Sequence, residues 1–224
     1  MMTSLGDYMD LCKAIEQALL FEKDTPRVYV GASSIGHPCK RSIWYQAHNT
    51  VAGGVAWRTK IIFKTGHHLE TMLIDLIKQS GVRVKCEQMH VSDIEYPFFS
   101  GHLDLVVNDE HVVDIKSCKN SEFNLFIKNS LRNWKPQYYD QLQSYMGMTG
   151  YKRAILLAIN KDTGQLHQEI IDFDELHYDV LRQRAKQIYE MPSPPERINK
   201  NATFYICQMC SYKQLCHFGE KNGH

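Results

Sequence analysis

Two apolar runs joined by a three-residue turn constrain the fold of this chain more than any other feature. Leu103–Val107 and His111–Lys116 are rich in aliphatic and β-branched residues, which is typical of strands. Between them, the Asn-Asp-Glu sequence at 108–110 is a turn signal, because Asn and Asp side chains readily bond the local backbone. The pattern therefore predicts a β-hairpin in which Val107 pairs with His111.

Two aspartates face each other in that hairpin. In the predicted register Asp104 lies opposite Asp114, with Cβ atoms about 5 Å apart, where like charges destabilise a sheet. A divalent cation between them converts the repulsion into binding, since hard cations take carboxylate oxygens. Because strand side chains alternate, Lys116 emerges beside Asp114 while Ile115 points into the core. Two metal-binding carboxylates beside a lysine are typical of a phosphodiester-cleaving site; the alternative is the solvated face of an ordinary hairpin.

The composition is that of an ordinary globular protein. The chain has 224 residues, of which 43% are hydrophobic and 23% charged. It contains no run of eighteen apolar residues and no signal-peptide pattern, so we expect a cytoplasmic protein with no membrane association. The net charge of +1 excludes a uniformly basic nucleic-acid coat but not a local basic groove.

The order of predicted elements indicates an α/β fold with a mixed central sheet flanked by helices, in one domain over 1–224. Within it we expect an N-terminal helical part at 1–57, a core at 58–190 and a C-terminal cysteine-rich segment at 191–224. The predicted helices lie at 5–20, 59–79, 136–149 and 174–189, with another around 43–45 that is capped at 32–34. The predicted strands lie at 82–91, 98–107, 111–117, 153–160 and 166–171.

Glu70, on the predicted helix 59–79, is a candidate third metal ligand. It shares a helix face with Gly66 and borders an apolar stripe. A carboxylate there is costly to bury unless it is paired or bound to metal. The alternative is a boundary glutamate that reaches water, and His67 and His68 compete for the ligand role.

Gln141 and Tyr145 are four residues apart, so they share one helical face, with Tyr138 beside them. An amide and a phenol together can orient a lysine, a water molecule or a phosphate oxygen. They can equally form the polar edge of an amphipathic helix.

Three closely spaced cysteines form the second strong pattern: Cys207, Cys210 and Cys216. They need a fourth ligand, and Cys39 near the other end of the chain is the obvious supplier. Four thiolates suit an iron–sulfur cluster or a structural zinc ion. His217 or His37 can replace one cysteine in a zinc site, and free buried thiols are the alternative. Seven cysteines in a reducing compartment favour metal ligands and free thiols over disulfides.

Four short motifs occur in a specific order: Gly66-x3-Glu70, Gly101-x2-Asp104, Asp114-x-Lys116 and Gln141-x3-Tyr145. This order resembles the RecB-like branch of the PD-(D/E)xK nuclease superfamily. The four cysteines resemble the split iron–sulfur arrangement of its CRISPR-associated exonucleases and of AddB-type helicase–nucleases. The likeness spans residues 33–216. One departure is Glu70, where cluster-bearing members usually carry histidine; glutamate is more like the phage and recombination exonucleases of the superfamily.

The resemblance implies a restriction-endonuclease-like core. It also implies that Asp104, Asp114 and the Ile115 carbonyl bind Mg²⁺ or Mn²⁺, with Glu70 as a direct or water-mediated ligand. A 4Fe–4S cluster is implied in preference to zinc, structural in role. In this scheme Lys116 positions the attacking water or stabilises the developing charge. Gln141 and Tyr145 are expected to steady Lys116 and the DNA strand.

The expected function is a metal-dependent DNA nuclease, an exonuclease on DNA ends or single strands in recombination, repair or CRISPR spacer acquisition. Expected protein partners are a helicase, a recombinase or a CRISPR integrase complex. The alternative is a catalytically weak adaptor subunit that binds DNA ends with the same fold. Candidate phosphate contacts, or solvated surface charges, are Arg58, Lys60, Lys64, Lys119, Lys128, Arg132 and Lys135. Candidate base-stacking aromatics, or core residues, are Trp44, Trp57, Phe123 and Trp134.

Overall fold

The structure is a computed structural model that describes residues 10–22, 28–50, 52–53 and 55–219. Its strands are β1 (Val30–Gly31), β2 (Val84–Ser92), β3 (Phe99–Val107), β4 (His111–Cys118), β5 (Arg153–Asn160) and β6 (Leu166–Asp172). Its helices are α1 (Leu11–Phe21), α2 (Lys40–Ala47), α3 (Trp57–Gln79), α4 (Asn120–Lys128), α5 (Leu131–Trp134), α6 (Pro136–Thr149), α7 (Glu175–Tyr189), α8 (Tyr205–Gln208) and α9 (Lys213–Phe218).

The six strands form one mixed sheet flanked by helices, so the predicted α/β fold is confirmed. The strand order is β1-β3-β4-β5-β6, with β2 paired to β3. β4 and β5 run parallel, because α4, α5 and α6 form the crossover between them. The predicted hairpin is also confirmed, since Val107 pairs with His111.

Two apolar clusters hold the helices against the sheet. Leu73 and Ile74 of α3 pack with Leu105 and Ile115, which places α3 over β3 and β4. The larger cluster joins α6 and α7 to the same strands and includes Leu142. Periodic apolar positions therefore fix the helices that carry Glu70 and Gln141 close to the hairpin.

The first residues of the chain differ from the prediction in two ways. The N-terminal part adds a short strand, β1, to the predicted helices, and two residues are too few to give a periodic signal. Ser33 and Ser34 do not cap a helix: α2 begins after Cys39, and the Ser34 hydroxyl donates to the Gly31 carbonyl in the preceding turn at 3.0 Å. The opening helix begins at Leu11, and residues 5–9 of that prediction lie outside the described residues.

Side chains of α2 hold the chain after α7. The Arg41 guanidinium donates to the Pro195 carbonyl at 2.7 Å, and the Trp44 indole donates to the Met191 carbonyl at 2.9 Å. These bonds bring the C-terminal segment beside α2, where Cys39 lies. In the described part of the chain, none of the helices has the length and apolar character needed to cross a membrane.

Candidate active site

The site lies at a gap in the pairing of β3. β2 runs along one edge of that strand, from Ser100 to Val107. The other edge is shared: β1 pairs with it at Phe99 and Ser100, and β4 pairs with it only from Leu105 onward. Residues 101–104 therefore lie between the two partner strands, and Asp104 is at the end of this gap.

Side chains satisfy the backbone groups that the gap leaves without a strand partner. The Tyr145 hydroxyl donates to the His102 carbonyl at 2.6 Å. Asp104 Oδ2 accepts a hydrogen bond from the Ile115 backbone N–H, also at 2.6 Å. Gly101 allows the close approach, since a Cβ there would lie 2.9 Å from the Tyr145 ring. The Gly-x-x-Asp motif thus fixes both the gap and the carboxylate.

A hydrogen-bonded chain surrounds the fully buried Asp114. Lys116 Nζ lies 2.6 Å from its Oδ2, and Gln141 Nε2 donates to its Oδ1 at 2.9 Å. Gln141 also donates to the Tyr145 hydroxyl at 3.0 Å. Gln141 and Tyr145 were predicted to support Lys116, but their hydrogen bonds go elsewhere. Gln141 binds Asp114, and Tyr145 binds the His102 carbonyl. The ring beside Lys116 is that of Tyr138, 5.3 Å from Nζ.

The charges of the site favour an added cation. Burial, together with the charge of Asp114, raises the pKa of Asp104 to about 8. Burial also raises the pKa of Asp114. Burial opposes the charge on Lys116, but the carboxylates of Asp114 and Asp104 outweigh it and raise the pKa of its ammonium group. Two buried carboxylates share one lysine, and their oxygens are the ligands that Mg²⁺ and Mn²⁺ prefer, so this donor set fits those ions.

Glu70 lies at the edge of the site and is bound by protein groups. Gln88 Nε2 donates to its Oε1 at 2.6 Å, and His67 Nδ1 lies 3.5 Å from Oε2. Its charge nevertheless contributes to the raised pKa of Asp104 and Asp114. Gln88 was missed in the sequence; it has a left-handed backbone (φ 46°) within β2, which no local pattern indicates. Among the described residues, no three His, Cys, Asp or Glu side chains form a group that could hold a metal ion.

The four predicted cluster cysteines line one cavity between α2 and the C-terminal segment: Cys39, Cys207, Cys210 and Cys216. All are free thiols, and the first two are buried. Burial raises the pKa of Cys207 and of Cys210, and the charges of the neighbouring cysteines add to the effect. His217 lines the same cavity, and its Nε2 is buried without a hydrogen-bond partner among the described residues. Thiols are the donors that an iron–sulfur cluster or zinc takes, but these four only line a common cavity and are not drawn together into a metal-binding group among the described residues.

Several predicted DNA contacts are occupied by other protein groups. Lys60 is buried and donates to the Glu22 carbonyl at 2.5 Å, while Lys64 donates to the Glu22 carboxylate at 2.9 Å. Lys135 pairs with Glu122 at 2.9 Å. The role of the remaining basic residues as phosphate contacts stays a prediction.

The predicted stacking aromatics are also engaged in the fold. Phe123 is a core residue with 1% exposure, so for this ring the core alternative is confirmed. Trp134 stacks on Phe126, with ring centroids 4.7 Å apart. Trp44 stacks on His48 at 4.1 Å. Local sequence could not separate these core aromatics from surface ones, because both sit at helical spacing.

Solved structures with a similar fold include two exonucleases. An alkaline exonuclease from Laribacter hongkongensis matches at 17% identity with a TM-score of 0.56, over 79% of this chain and 90% of that one. The same exonuclease has been solved in complex with dAMP. A phage-related exonuclease from Haemophilus somnus 129PT matches at 17% identity and TM-score 0.55, over 73% of this chain and 93% of that one.

The protein SSO0001 matches at 14% identity and TM-score 0.58, over 95% of this chain and 98% of that one. No family model and no curated protein matches the sequence. At these identities the likeness shows the fold alone: the chain has the fold of these exonucleases over most of its length.

Proposed function

We propose that this protein is a metal-dependent deoxyribonuclease of the PD-(D/E)xK type. The observation that carries the proposal is the convergence of Asp104, Asp114 and Lys116 at one gap in the sheet, with Asp114 fully buried. A buried pair of carboxylates beside a lysine destabilises a metal-free fold, so its presence favours catalysis over a structural role. The shared fold with exonucleases supports the same class.

The side chains have separate tasks in this proposal. A bound Mg²⁺ or Mn²⁺ ion would supply Lewis acidity for attack of water on the scissile phosphate. Asp104 and Asp114 would hold the ion, together with the Ile115 carbonyl. Glu70 would be a direct or water-mediated ligand, with its Oε1 held by Gln88. Lys116 remains charged beside Asp114 and stabilises negative charge on the phosphate oxygens. Gln141 fixes the orientation of Asp114.

The substrate of the proposed enzyme is DNA, attacked at ends or in single strands. Two of the fold neighbours are named as exonucleases, and one of these was solved in complex with dAMP, a deoxynucleotide. Recombination, repair and CRISPR spacer acquisition are the processes in which such an enzyme would act, with a helicase, recombinase or integrase complex as its partner. We include these processes, these partners and a cytoplasmic location in the proposal.

The cysteine cavity belongs to the same proposal as the site of a structural 4Fe–4S cluster, with zinc as the alternative. The cluster would join α2 to the C-terminal segment through Cys39, which lies 168 positions before Cys207. Closing so long a loop restricts the unfolded chain strongly. Anaerobically purified protein should be brown, with broad absorption near 400 nm. Colourless protein with one zinc per chain would establish the zinc alternative.

The proposed activity is tested with anaerobically purified protein on end-labelled single- and double-stranded DNA, with Mg²⁺, Mn²⁺ or EDTA. We expect divalent-metal-dependent cleavage that begins at the ends and is absent in EDTA. Binding of DNA ends without cleavage under any of these conditions would instead establish the adaptor alternative.

A further inference from the structure

One residue of β2 has a backbone conformation that its residue type does not favour. Gln88, at the centre of the strand, has φ 46°, in the left-handed region. Among the described residues, the other non-glycine residues with positive φ are Asn49, Asn108 and Asp109. Asn and Asp tolerate this region because their short side chains bond the local backbone, whereas glutamine lacks that compensation. Holding Gln88 in this conformation therefore costs folding free energy.

The left-handed backbone turns two consecutive side chains of β2 to the same helix. Glu87 Oε1 lies 2.8 Å from Lys78 Nζ of α3. The Gln88 amide donates to Glu70 Oε1 of the same helix at 2.6 Å. Successive side chains of a regular strand point to opposite faces of the sheet. Met89 packs against the apolar cluster of α6 and α7 instead. The conformation of Gln88 is thus what brings its amide to α3.

Gln88 lies beside the carboxylate site, which is formed by Asp104, Asp114 and Lys116. The register of β2 with β3 places position 88 opposite Asp104. The amide therefore joins the strand position that faces one proposed metal ligand to the carboxylate of another, Glu70. The Gln88 side chain is exposed, so burial of apolar surface does not account for the strained backbone.

We propose that Gln88 is a positioning residue: it holds the Glu70 carboxylate in place for the metal ion of the carboxylate site, and the strained backbone is retained for this task. The inference rests on the proposed nuclease function and adds to it a residue outside the four sequence motifs. Glycine would relieve the backbone but has no amide to donate. Asparagine would tolerate the backbone, but its side chain is one methylene shorter. Glutamine supplies both the donor and the reach.

The test separates the amide from the backbone strain. Gln88→Ala and Gln88→Gly both remove the donor, so each should weaken Mn²⁺ binding about tenfold in electron paramagnetic resonance titrations. The two variants should differ in stability, because only alanine is strained by the left-handed backbone. The thermal midpoint of Gln88→Gly should therefore be about 2–4 °C higher than that of Gln88→Ala.

A double-mutant cycle shows whether the amide acts through Glu70. Glu70→Ala should itself weaken Mn²⁺ binding. Adding Gln88→Ala to it should change the affinity less than about twofold, because the carboxylate that the amide holds is then absent. The matched control is Glu87→Gln, which keeps the size of the neighbouring side chain and breaks its pair with Lys78. It should leave Mn²⁺ affinity and DNA cleavage unchanged.

Two results would overturn the inference: wild-type Mn²⁺ affinity in Gln88→Ala, or a further tenfold loss when that change is added to Glu70→Ala. Equal thermal midpoints of the alanine and glycine variants would overturn the claim that the backbone is strained. If the wild type itself neither binds Mn²⁺ nor cleaves DNA, the proposed nuclease function fails instead, so the two failures are distinguishable.

Discussion

The carboxylate site and the cysteine cavity are both candidate metal sites, but the protein builds them by different means. Around Asp114 the partners are protein groups: Lys116, Gln141 and the strand pairing of β4 with β5. The cysteine cavity joins two distant parts of the chain, and apolar support for its C-terminal wall is small. After Ile188, the buried apolar side chains of the described residues are few, namely Pro195 and Cys207.

The two sites should therefore differ in how far their structure depends on a bound metal. The geometry of the carboxylate site should persist without metal, because hydrogen bonds and core packing hold it, and the metal adds chemistry. The C-terminal segment, which carries Cys207, should depend on the bound cluster or zinc ion for its position. Loss of the carboxylate site should therefore abolish activity with little structural change. Loss of the cysteine site should instead disorder the C-terminal segment.

The largest expected effect is on catalysis. Asp114→Asn keeps the size of the side chain and its bond to Gln141, and Lys116→Ala removes the cation; each should reduce cleavage by at least about 10²–10³-fold. Rates on end-labelled DNA with Mg²⁺ or Mn²⁺ measure this, with exposed Asp75→Asn as the control that retains activity. Wild-type rates in either site variant would refute the assignment.

Breaking the cysteine cavity should have a large but local effect. Cys210→Ala should lose the absorption near 400 nm, and protease should cleave the segment after Pro195 while the sheet remains protected. Limited proteolysis followed by mass spectrometry maps the cut sites. A fully stable, metal-free Cys210→Ala protein would show that no cluster joins α2 to the C-terminal segment.

The supports of Asp114 should matter less than Asp114 itself. Gln141→Ala and Tyr145→Phe should lower the cleavage rate about tenfold, because neither contacts the ion. Tyr145→Phe also removes the hydroxyl that donates to the His102 carbonyl, which should cost about 1 kcal/mol of unfolding free energy. Denaturant titration measures that cost. Unchanged rate and stability in both variants would show that Gln141 and Tyr145 only form the polar edge of an amphipathic helix.

The smallest expected effect is the change of stability and of Mg²⁺ affinity with pH. Because the pKa of Asp104 is raised to about 8, the folded metal-free protein binds this proton more tightly than the unfolded chain. Its contribution to stability is present at low pH and is lost as pH rises through about 8. Mg²⁺ must displace the proton, so its affinity should rise about tenfold per pH unit below about 8. Calorimetric titration at several pH values tests this, and a Mg²⁺ affinity that does not change with pH below about 8 would contradict it.

The hairpin could be predicted from sequence because turn chemistry and side-chain alternation act locally. They gave the pairing of Val107 with His111, which brings Asp104 to the Ile115 N–H beside Asp114. The spacing of the C-terminal cysteines likewise pointed to one cavity. The contacts of Gln141 and the bond from Gln88 to Glu70 could not be predicted, because they depend on how α6, α3 and β2 pack. The gap in β3 also had no signal, since β1 contributes only two residues.

The central claim is that Asp104 and Asp114 jointly hold a catalytic divalent ion. Its most direct test is Mn²⁺ binding followed by electron paramagnetic resonance, in wild-type and Asp114→Asn protein at pH 8.5, alongside cleavage of end-labelled DNA in the same samples. We expect the wild type to bind Mn²⁺ and to cleave in proportion to bound ion, and the variant to do neither. Equal Mn²⁺ binding by the variant, or wild-type cleavage in EDTA, would contradict it.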